Sequence, residues 1–452
     1  MFRANRKVFK NLIILSTISF ISCGGGGDNL ETSPPSTPVY TYTWETASPE
    51  SVGLRPSAVQ DALDYAMFNG NYSQSAIIVK DEKIVGEVYR SISDTEKANL
   101  INANSVLTDS FLEEKMGAVN SNSLVTSWSM GKSFTSIIFG IAETQGLLSI
   151  NSRASDYLNE WTTDERRNIT IKNLLDMRSG LYQGCYDITE ADQVGNCSEL
   201  PASQSVGGGD IVLASNQLIG CINQEFNTTL HVSYNYQSQD AYYLYSNCDS
   251  MLLGEIFYRD TGQDIEDFAQ RNLFSKLDIT AYWWKDASSG GQDNGNYLTY
   301  CCIDMTARDF LKIGQLLLND GVWNGERILS SSYVKQISDL QKTYGLKFWA
   351  VPIQSAGIAY PDPPLNILIY LAGFDGQYVF IDFENKILMA RNSLYYPALD
   401  LTSERKMIAG SIGTSNFTVT SPTIITSRGT RLGLTFSPFT MARFLYDLGS
   451  QN

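Results

Sequence analysis

The chain has 452 residues, of which 43% are hydrophobic and 18% are charged, so it is long and apolar enough to bury a sizeable core. Its 33 basic and 48 acidic side chains leave a net charge of −15, which excludes nucleic acid and anionic membrane surfaces as electrostatic partners. A single histidine excludes the usual imidazole set of a zinc hydrolase, and the sequence predicts no metal and no cofactor.

Residues 1–23 have the pattern of an export signal. Four basic residues precede an apolar stretch at 12–21 that is too short to span a bilayer. Cys23 follows this stretch and a small residue, which resembles the lipidation site of bacterial lipoproteins. Residues 24–45 begin with a Gly-, Pro-, Ser- and Thr-rich tract and are expected to form a flexible linker. We therefore expect an exported protein of the bacterial cell envelope, periplasmic or outer-membrane, held at the membrane by lipid alone. Ordinary secretion is the alternative.

Strand patterns frame the remaining chain. Residues 76–80 and 84–89 read as one β-hairpin, and residues 377–382 and 387–391 read as another. We expect these strands to form one antiparallel sheet that is covered by helices from both chain ends, including residues 439–448.

A helix with one buried face is predicted, with Ser129 in its first turn. Its apolar residues recur at intervals of three and four, and Gly146 stands where a helix commonly stops. These apolar residues are Phe134, Ile137, Ile138 and Ile141. Ser129 and Lys132 then lie on successive turns, so the amine can take the serine proton without an imidazole. Free backbone N–H groups in the first turn favour the negative charge that develops during such a reaction.

Six cysteines besides Cys23 suit an oxidising compartment, because their even number permits up to three disulfides. Proximity favours the pairs Cys185–Cys197 and Cys221–Cys248. Cys301 and Cys302 could bond to each other or to other cysteines.

The segment 182–239, rich in Gly, Asn, Ser and Gln, is expected to be an insertion that carries or adjoins four of these cysteines. It also contains the one histidine, His231. The chain has no Gly-x-Ser-x-Gly turn, so we expect His231 to be structural or to lie at a pocket rim.

Three motifs resemble those of the serine β-lactamase superfamily, in particular class C enzymes, family VIII esterases and 6-aminohexanoate-oligomer hydrolases. The first is the Ser-x-x-Lys segment at 128–136, a known signature of β-lactamases and penicillin-binding proteins. The second is Tyr245-Ser246-Asn247, and the third is the segment 373–377. Their order and intervals agree with the family, and the resemblance covers residues 46–450.

The resemblance implies an α/β (α+β) fold of the β-lactamase/transpeptidase type, with residues 46–452 as one catalytic domain. It contains an antiparallel sheet flanked by helices and a mainly helical lobe at about 105–290. The resemblance also implies roles for particular residues. Ser129 is the nucleophile, Lys132 accepts its proton, Tyr245 is an acid/base, and Asn247 supports them. The backbone N–H groups of Ser129 and Phe374 form the oxyanion hole.

Other implied positions concern the substrate cleft. Gly373 lacks a side chain, which would let a substrate approach the strand. Asp375 is a cleft or turn residue. Many relatives carry lysine or histidine where this chain has Leu371, so we expect neutral rather than anionic substrates, unless Arg391 compensates. The 182–239 insertion is expected to help set specificity.

The sequence thus predicts an exported serine hydrolase that cleaves small ester or amide substrates through an acyl-enzyme on Ser129. One alternative is a β-lactamase or DD-peptidase that acts on β-lactams or peptidoglycan peptides. Another is a catalytically silent binding or receptor protein on the same scaffold.

Overall fold

The computed structural model describes residues 42–103, 107–181, 216–226, 243–286, 295–340, 343–352, 367–395 and 436–449, together with the backbone of three short strands between 185 and 206. All of them belong to a compact unit that begins at Tyr42. Several predicted features lie outside the described residues: the export signal with Cys23, residues 24–41 of the expected linker, His231 and most of the expected 182–239 insertion.

Strands and helices alternate along much of the chain. The described strands are β1 (Glu45–Thr46), β2 (Ser73–Lys80), β3 (Lys83–Tyr89), β4 (Leu124–Thr126), β5 (Cys185–Asp187), β6 (Val194–Gly195), β7 (Ser205–Val206), β8 (Tyr282–Trp283), β9 (Ile303–Thr306), β10 (Val322–Trp323), β11 (Glu326–Arg327), β12 (Tyr344–Gly345), β13 (Phe348–Pro352), β14 (Ile367–Gly373), β15 (Gln377–Asp382) and β16 (Ile387–Ser393). The described α-helices are α1 (Pro56–Met67), α2 (Asp94–Ala103), α3 (Asp109–Met116), α4 (Gly131–Thr144), α5 (Ile171–Leu175), α6 (Gln217–Ile222), α7 (Asn247–Thr261), α8 (Ile265–Ala269), α9 (Ala307–Leu318), α10 (Ser331–Ser338) and α11 (Pro438–Gly449).

One eight-stranded sheet organises the fold, in the order β1-β3-β2-β16-β15-β14-β13-β12. Both predicted hairpins are present, as β2–β3 and β15–β16, and β16 pairs with β2 to join strands from the two ends of the chain. Its pairs are antiparallel except for the short parallel contact between β1 and β3. The predicted antiparallel sheet is therefore confirmed, with one parallel strand added at its edge.

Alternation along the strands separates two apolar cores, one on each face of this sheet. Ile78 and Phe380 belong to the core that also contains Met441 of α11 and Leu63 of α1. Val379 and neighbouring inward residues belong to the larger core that includes α4, α7 and α9. Helices from both chain ends therefore cover one face, as expected, while the helix that carries Lys132 lies on the other side.

Helix α4 is more deeply buried than its apolar spacing predicts. It ends at Thr144, and Gly146 has the left-handed φ of 71° expected for a helix stop. Every residue from Gly131 to Ala142 is buried, so the helix has no solvated face in this stretch. Its polar side chains are therefore hydrogen-bonded inside the protein; for example, the Thr135 hydroxyl donates to the Thr299 carbonyl at 2.7 Å.

Within the described ranges, no helix is both long enough and apolar enough to cross a membrane. Those same ranges contain no group of three or more His, Cys, Asp or Glu side chains placed to hold a metal ion.

Candidate active site

Ser129 lies in a short 3-10 turn, Trp128–Met130, that leads directly into α4. Strand β4 brings the chain to this turn, and Ser127 fixes it to β9. The Ser127 N–H donates to the Ile303 carbonyl at 2.8 Å, and the Ile303 N–H donates to the Ser127 hydroxyl at 2.9 Å. Trp128 adopts a left-handed φ of 41°, a conformation that is costly for a bulky residue and that recurs at functional sites.

The Lys132 amine lies within hydrogen-bond distance of three oxygens. Its Nζ is 3.0 Å from the Ser129 hydroxyl, 2.7 Å from Oδ1 of Asn247 and 3.0 Å from the carbonyl of Tyr300. The side chain is 1% exposed. The structure therefore brings together the serine and the lysine that the sequence pairs, and it adds the Tyr300 carbonyl, which sequence reasoning had not identified.

This arrangement suits a neutral amine. The two carbonyl oxygens, of Asn247 and Tyr300, can only accept, so they use both N–H groups of an uncharged amine. The nitrogen lone pair is then left for the proton of the Ser129 hydroxyl. Burial lowers the pKa of Lys132 well below its ordinary value, and the charge of the nearby Lys347 lowers it further. Both effects favour the uncharged amine, which is the form that a general base requires.

Tyr245 lies close to the same amine. Lys132 Nζ is 4.8 Å from the centre of its ring, and the phenol hydrogen-bonds to Ser129. Burial raises the pKa of Tyr245 to about 12, although the Ser129 contact opposes the shift. The phenol therefore stays protonated at neutral pH and can donate a proton, whereas the lysine can accept one. The sequence predicted the pair but not this division of their proton affinities.

The start of helix α7 positions Asn247. Ser246 caps this helix, because its hydroxyl accepts a hydrogen bond from the Asp249 N–H at 3.2 Å. Asn247 is thus the first helical residue, and its amide oxygen reaches the amine of Lys132. The predicted Tyr-x-Asn element therefore consists of Tyr245 just before α7, the capping residue Ser246 and the first helical residue, Asn247.

Gly373 ends β14 beside the nucleophile turn, and the structure gives a second reason for its missing side chain. A Cβ at this position would lie 2.3 Å from the Ser127 carbonyl oxygen. The protein's own backbone therefore requires the absence of a side chain at this position, whatever the substrate. Next to it, the Phe374 ring packs edge-on against Trp128 at 5.9 Å, so the two backbone segments predicted to form the oxyanion hole lie together.

Asp375 belongs to the short turn Phe374–Gly376 that follows β14, and Arg391 of β16 contacts the same turn. Asp375 is fully buried at a left-handed φ of 61°, so it is a turn residue rather than part of the cleft wall. Arg391 is also fully buried, and its guanidinium donates to the carbonyls of Asp375 and Gly376. It cannot therefore replace a cation at position 371. Leu371 itself is 0% exposed and belongs to the apolar core.

Two disulfides are present among the described cysteines. Cys221 is joined to Cys248, the pair expected from proximity, with a Cα–Cα distance of 5.0 Å. Cys301 is joined to its neighbour Cys302, one of the two possibilities left open. Cys185 is described only as backbone and Cys197 lies outside the described residues.

A serine and a buried lysine on adjoining turns, with a tyrosine beside both, define a serine enzyme whose base is an amine instead of an imidazole. The Beta-lactamase family profile matches residues 73–395, which is most of the chain. The chain therefore belongs to the β-lactamase family, whose members are serine hydrolases that act on amide or ester bonds, and it is a serine hydrolase.

Similar proteins agree with this assignment at the level of the fold. A Bacillus anthracis protein assigned as a 6-aminohexanoate-dimer hydrolase aligns with a TM-score of 0.50 and 19% identity over 74% of this chain and 76% of that one. A penicillin-binding protein homologue from Caulobacter crescentus aligns with a TM-score of 0.50 and 11% identity, over 78% of this chain and 92% of that one. Glutaminase 1 of Clostridium perfringens is 40% identical over 53 residues, which is 11% of this chain and only 17% of the glutaminase.

Proposed function

We propose that this protein cleaves neutral ester or amide substrates through an acyl-enzyme on Ser129, with Lys132 as base and Tyr245 as acid. The observation that carries the proposal is the contact of one buried amine with the Ser129 hydroxyl and with two carbonyl oxygens. When the amine is neutral and donates to the two carbonyl oxygens, its lone pair is left for the hydroxyl that must lose its proton.

In the acylation step, the Ser129 oxygen attacks the acyl carbon while its proton passes to Lys132. The negative charge that forms on the acyl oxygen is stabilised by the backbone N–H groups of Ser129 and Phe374. Tyr245 then donates its proton to the departing alkoxide or amine. The phenol recovers a proton from the Lys132 ammonium, which restores the neutral amine.

In the deacylation step, water attacks the Ser129 ester and gives up a proton to the same lysine and tyrosine set. The acid is released and the serine oxygen regains its proton. Because protons circulate within this set, the reaction needs neither an imidazole nor a metal ion.

Aromatic side chains beside the serine support a substrate with an apolar acyl or leaving group. Trp128, which precedes Ser129 in the chain, forms one aromatic pair with Phe374, and their ring centres are 5.9 Å apart. Tyr245 stacks on the partly exposed Trp349 at 5.6 Å and forms the other. The apolar, buried Leu371 supplies no charge for an anionic group, which favours a neutral substrate.

A fluorophosphonate probe tests the nucleophile in the full chain. We expect stoichiometric labelling of the wild type, with the label on the Ser129 peptide, and no labelling of a folded Ser129→Ala variant. A folded wild-type protein that reacts with neither the probe nor any substrate would favour a binding protein instead. The substrate panel comprises p-nitrophenyl esters, nitrocefin, the 6-aminohexanoate dimer and glutamine, and we expect turnover of the neutral esters to be fastest.

We also propose that the protein is exported and anchored through a lipid on Cys23, because the signal-like pattern of residues 1–23 ends at this cysteine. Cell fractionation tests the anchor. The wild-type chain is expected in the membrane fraction and a Cys23→Ser variant is not, whereas equal distribution of the two would contradict lipidation.

A further inference from the structure

A second buried amine lies close to Lys132, on the turn between β12 and β13. Lys347 is 1% exposed, and its Nζ donates to the Leu174 carbonyl at 2.6 Å. Its own carbonyl accepts a hydrogen bond of 2.6 Å from the hydroxyl of Ser133, the residue after Lys132. Its N–H donates to the Leu175 carbonyl at 3.0 Å. Lys347 is thus tied by its backbone to both α4 and α5.

A lysine is an expensive choice at this position. Its φ of 64° is in the left-handed region, where glycine carries no penalty and other residues are strained. Its ammonium group is also removed from water, which is costly for any charged side chain. Because Leu346 also has a left-handed φ, of 47°, the two-residue turn accounts for the backbone, and the buried ammonium is the cost specific to lysine.

Charged and titratable groups face this amine from each of the helices around it. Asp249 of α7 and Asp176, just after α5, both favour its protonated form, whereas burial lowers the pKa of Lys347 to about 7. Burial raises the pKa of Asp249 to about 6, and Lys347 opposes that shift. Lys132 of α4 faces Lys347 as a like charge.

Other groups complete this environment. The Ser179 hydroxyl donates to Asp249 at 2.7 Å. The charged or titratable side chains near Asp176 and Asp249 also include Arg178, Tyr243, Tyr245 and Tyr344. Asp249 also follows Asn247 by two residues on α7, and Asn247 bonds to the Lys132 amine. Helix α7 therefore connects Asp249, the partner of Lys347, to the Lys132 amine through Asn247.

We propose that Lys347 is a positioning residue: its ammonium, held by the Leu174 carbonyl and facing Asp249, disfavours a second positive charge on Lys132 and so keeps that amine ready to accept the Ser129 proton. The inference rests on the proposed function. It adds a residue that none of the three motifs contains.

The pH dependence of kcat/KM tests this role, measured with p-nitrophenyl butyrate on the full chain. Lys347→Met removes the positive charge and keeps an apolar side chain of similar length. Without the like charge Lys132 holds its proton more tightly, so we expect the acid limb to move up by about one pH unit. The rate on that limb then falls about tenfold, while the alkaline plateau changes little. Lys347→Gly, which also relieves the left-handed backbone, is expected to produce the same shift.

Lys312→Met is the matched control, because Lys312 is another buried lysine, paired with Asp309 on α9. It is expected to leave the acid limb in place. A folded Lys347→Met or Lys347→Gly protein whose activity falls equally at every pH would overturn the inference and leave Lys347 a purely structural residue. If the wild type turns over substrate and Ser129→Ala does not, the proposed function stands, and a uniform loss of activity in the Lys347 variants refutes only the role of Lys347. An active Ser129→Ala protein would instead refute the proposed function.

Discussion

Lys132→Met is expected to reduce acylation by about 10³-fold or more, because it removes the group that takes the Ser129 proton. The change should not unfold the protein. Methionine is close to lysine in length, and the replaced amine is 1% exposed, so the variant no longer has to bury an ionisable group there. The Asn247 and Tyr300 oxygens lose a donor, which offsets part of that gain.

The measurement is the second-order rate of fluorophosphonate labelling, together with kcat/KM for an ester substrate and thermal unfolding of each variant. Lys335→Met is the control, since Lys335 lies exposed on α10 and should change neither rate. A Lys132→Met protein that is folded and retains near-normal labelling would show that another group deprotonates Ser129.

Two parts of this site could be predicted from the sequence: the contact between Ser129 and Lys132, which are close in the chain, and the roles that the motifs imply for more distant residues. A separation of three residues places Ser129 and Lys132 on adjoining turns. Tyr245 and Asn247 lie far along the chain and were assigned to the same site by the Tyr-x-Asn motif. The two hairpins were likewise visible as alternating apolar residues on either side of a short turn.

Properties that depend on burial could not be predicted in this way. The opposite pKa shifts of Lys132 and Tyr245 arise from desolvation, which depends on how α4, α7 and the sheet pack. Lys347 gave no signal in the sequence, because it lies far along the chain from Lys132 and belongs to no recognised motif. Its left-handed backbone and its contact with Ser133 became visible only in the folded chain.

The close contact of Gly373 with the nucleophile turn is a feature that the sequence does not reveal. Its missing side chain suggested that a substrate could approach the strand, and nothing in the sequence reveals that a Cβ there would lie 2.3 Å from the Ser127 carbonyl oxygen. The registration of β14 against the nucleophile turn is a tertiary feature that joins residues from opposite halves of the chain.

Gly373→Ala is therefore expected to lower kcat/KM by about 10²-fold, because the two segments that surround Ser129 must separate. The backbone itself permits alanine, since φ is −122° and ψ is 160° at this residue. The only obstacle is steric: the new Cβ would lie 2.3 Å from the Ser127 carbonyl oxygen, which belongs to the backbone and cannot rotate away. The displacement moves the Phe374 N–H relative to the Ser129 N–H, so stabilisation of the oxyanion is lost.

Gly86→Ala separates this effect from general destabilisation. Gly86 lies on β3, and a Cβ there would meet the flexible end of Leu63 on α1 at 2.8 Å, on the face of the sheet away from α4. We expect Gly86→Ala to lower the melting temperature while the folded protein keeps its kcat/KM. Gly373→Ala should instead lose activity at temperatures where circular dichroism shows a native fold. Equal kcat/KM for Gly373→Ala and the wild type would mean that β14 and the nucleophile turn need not be this close for catalysis.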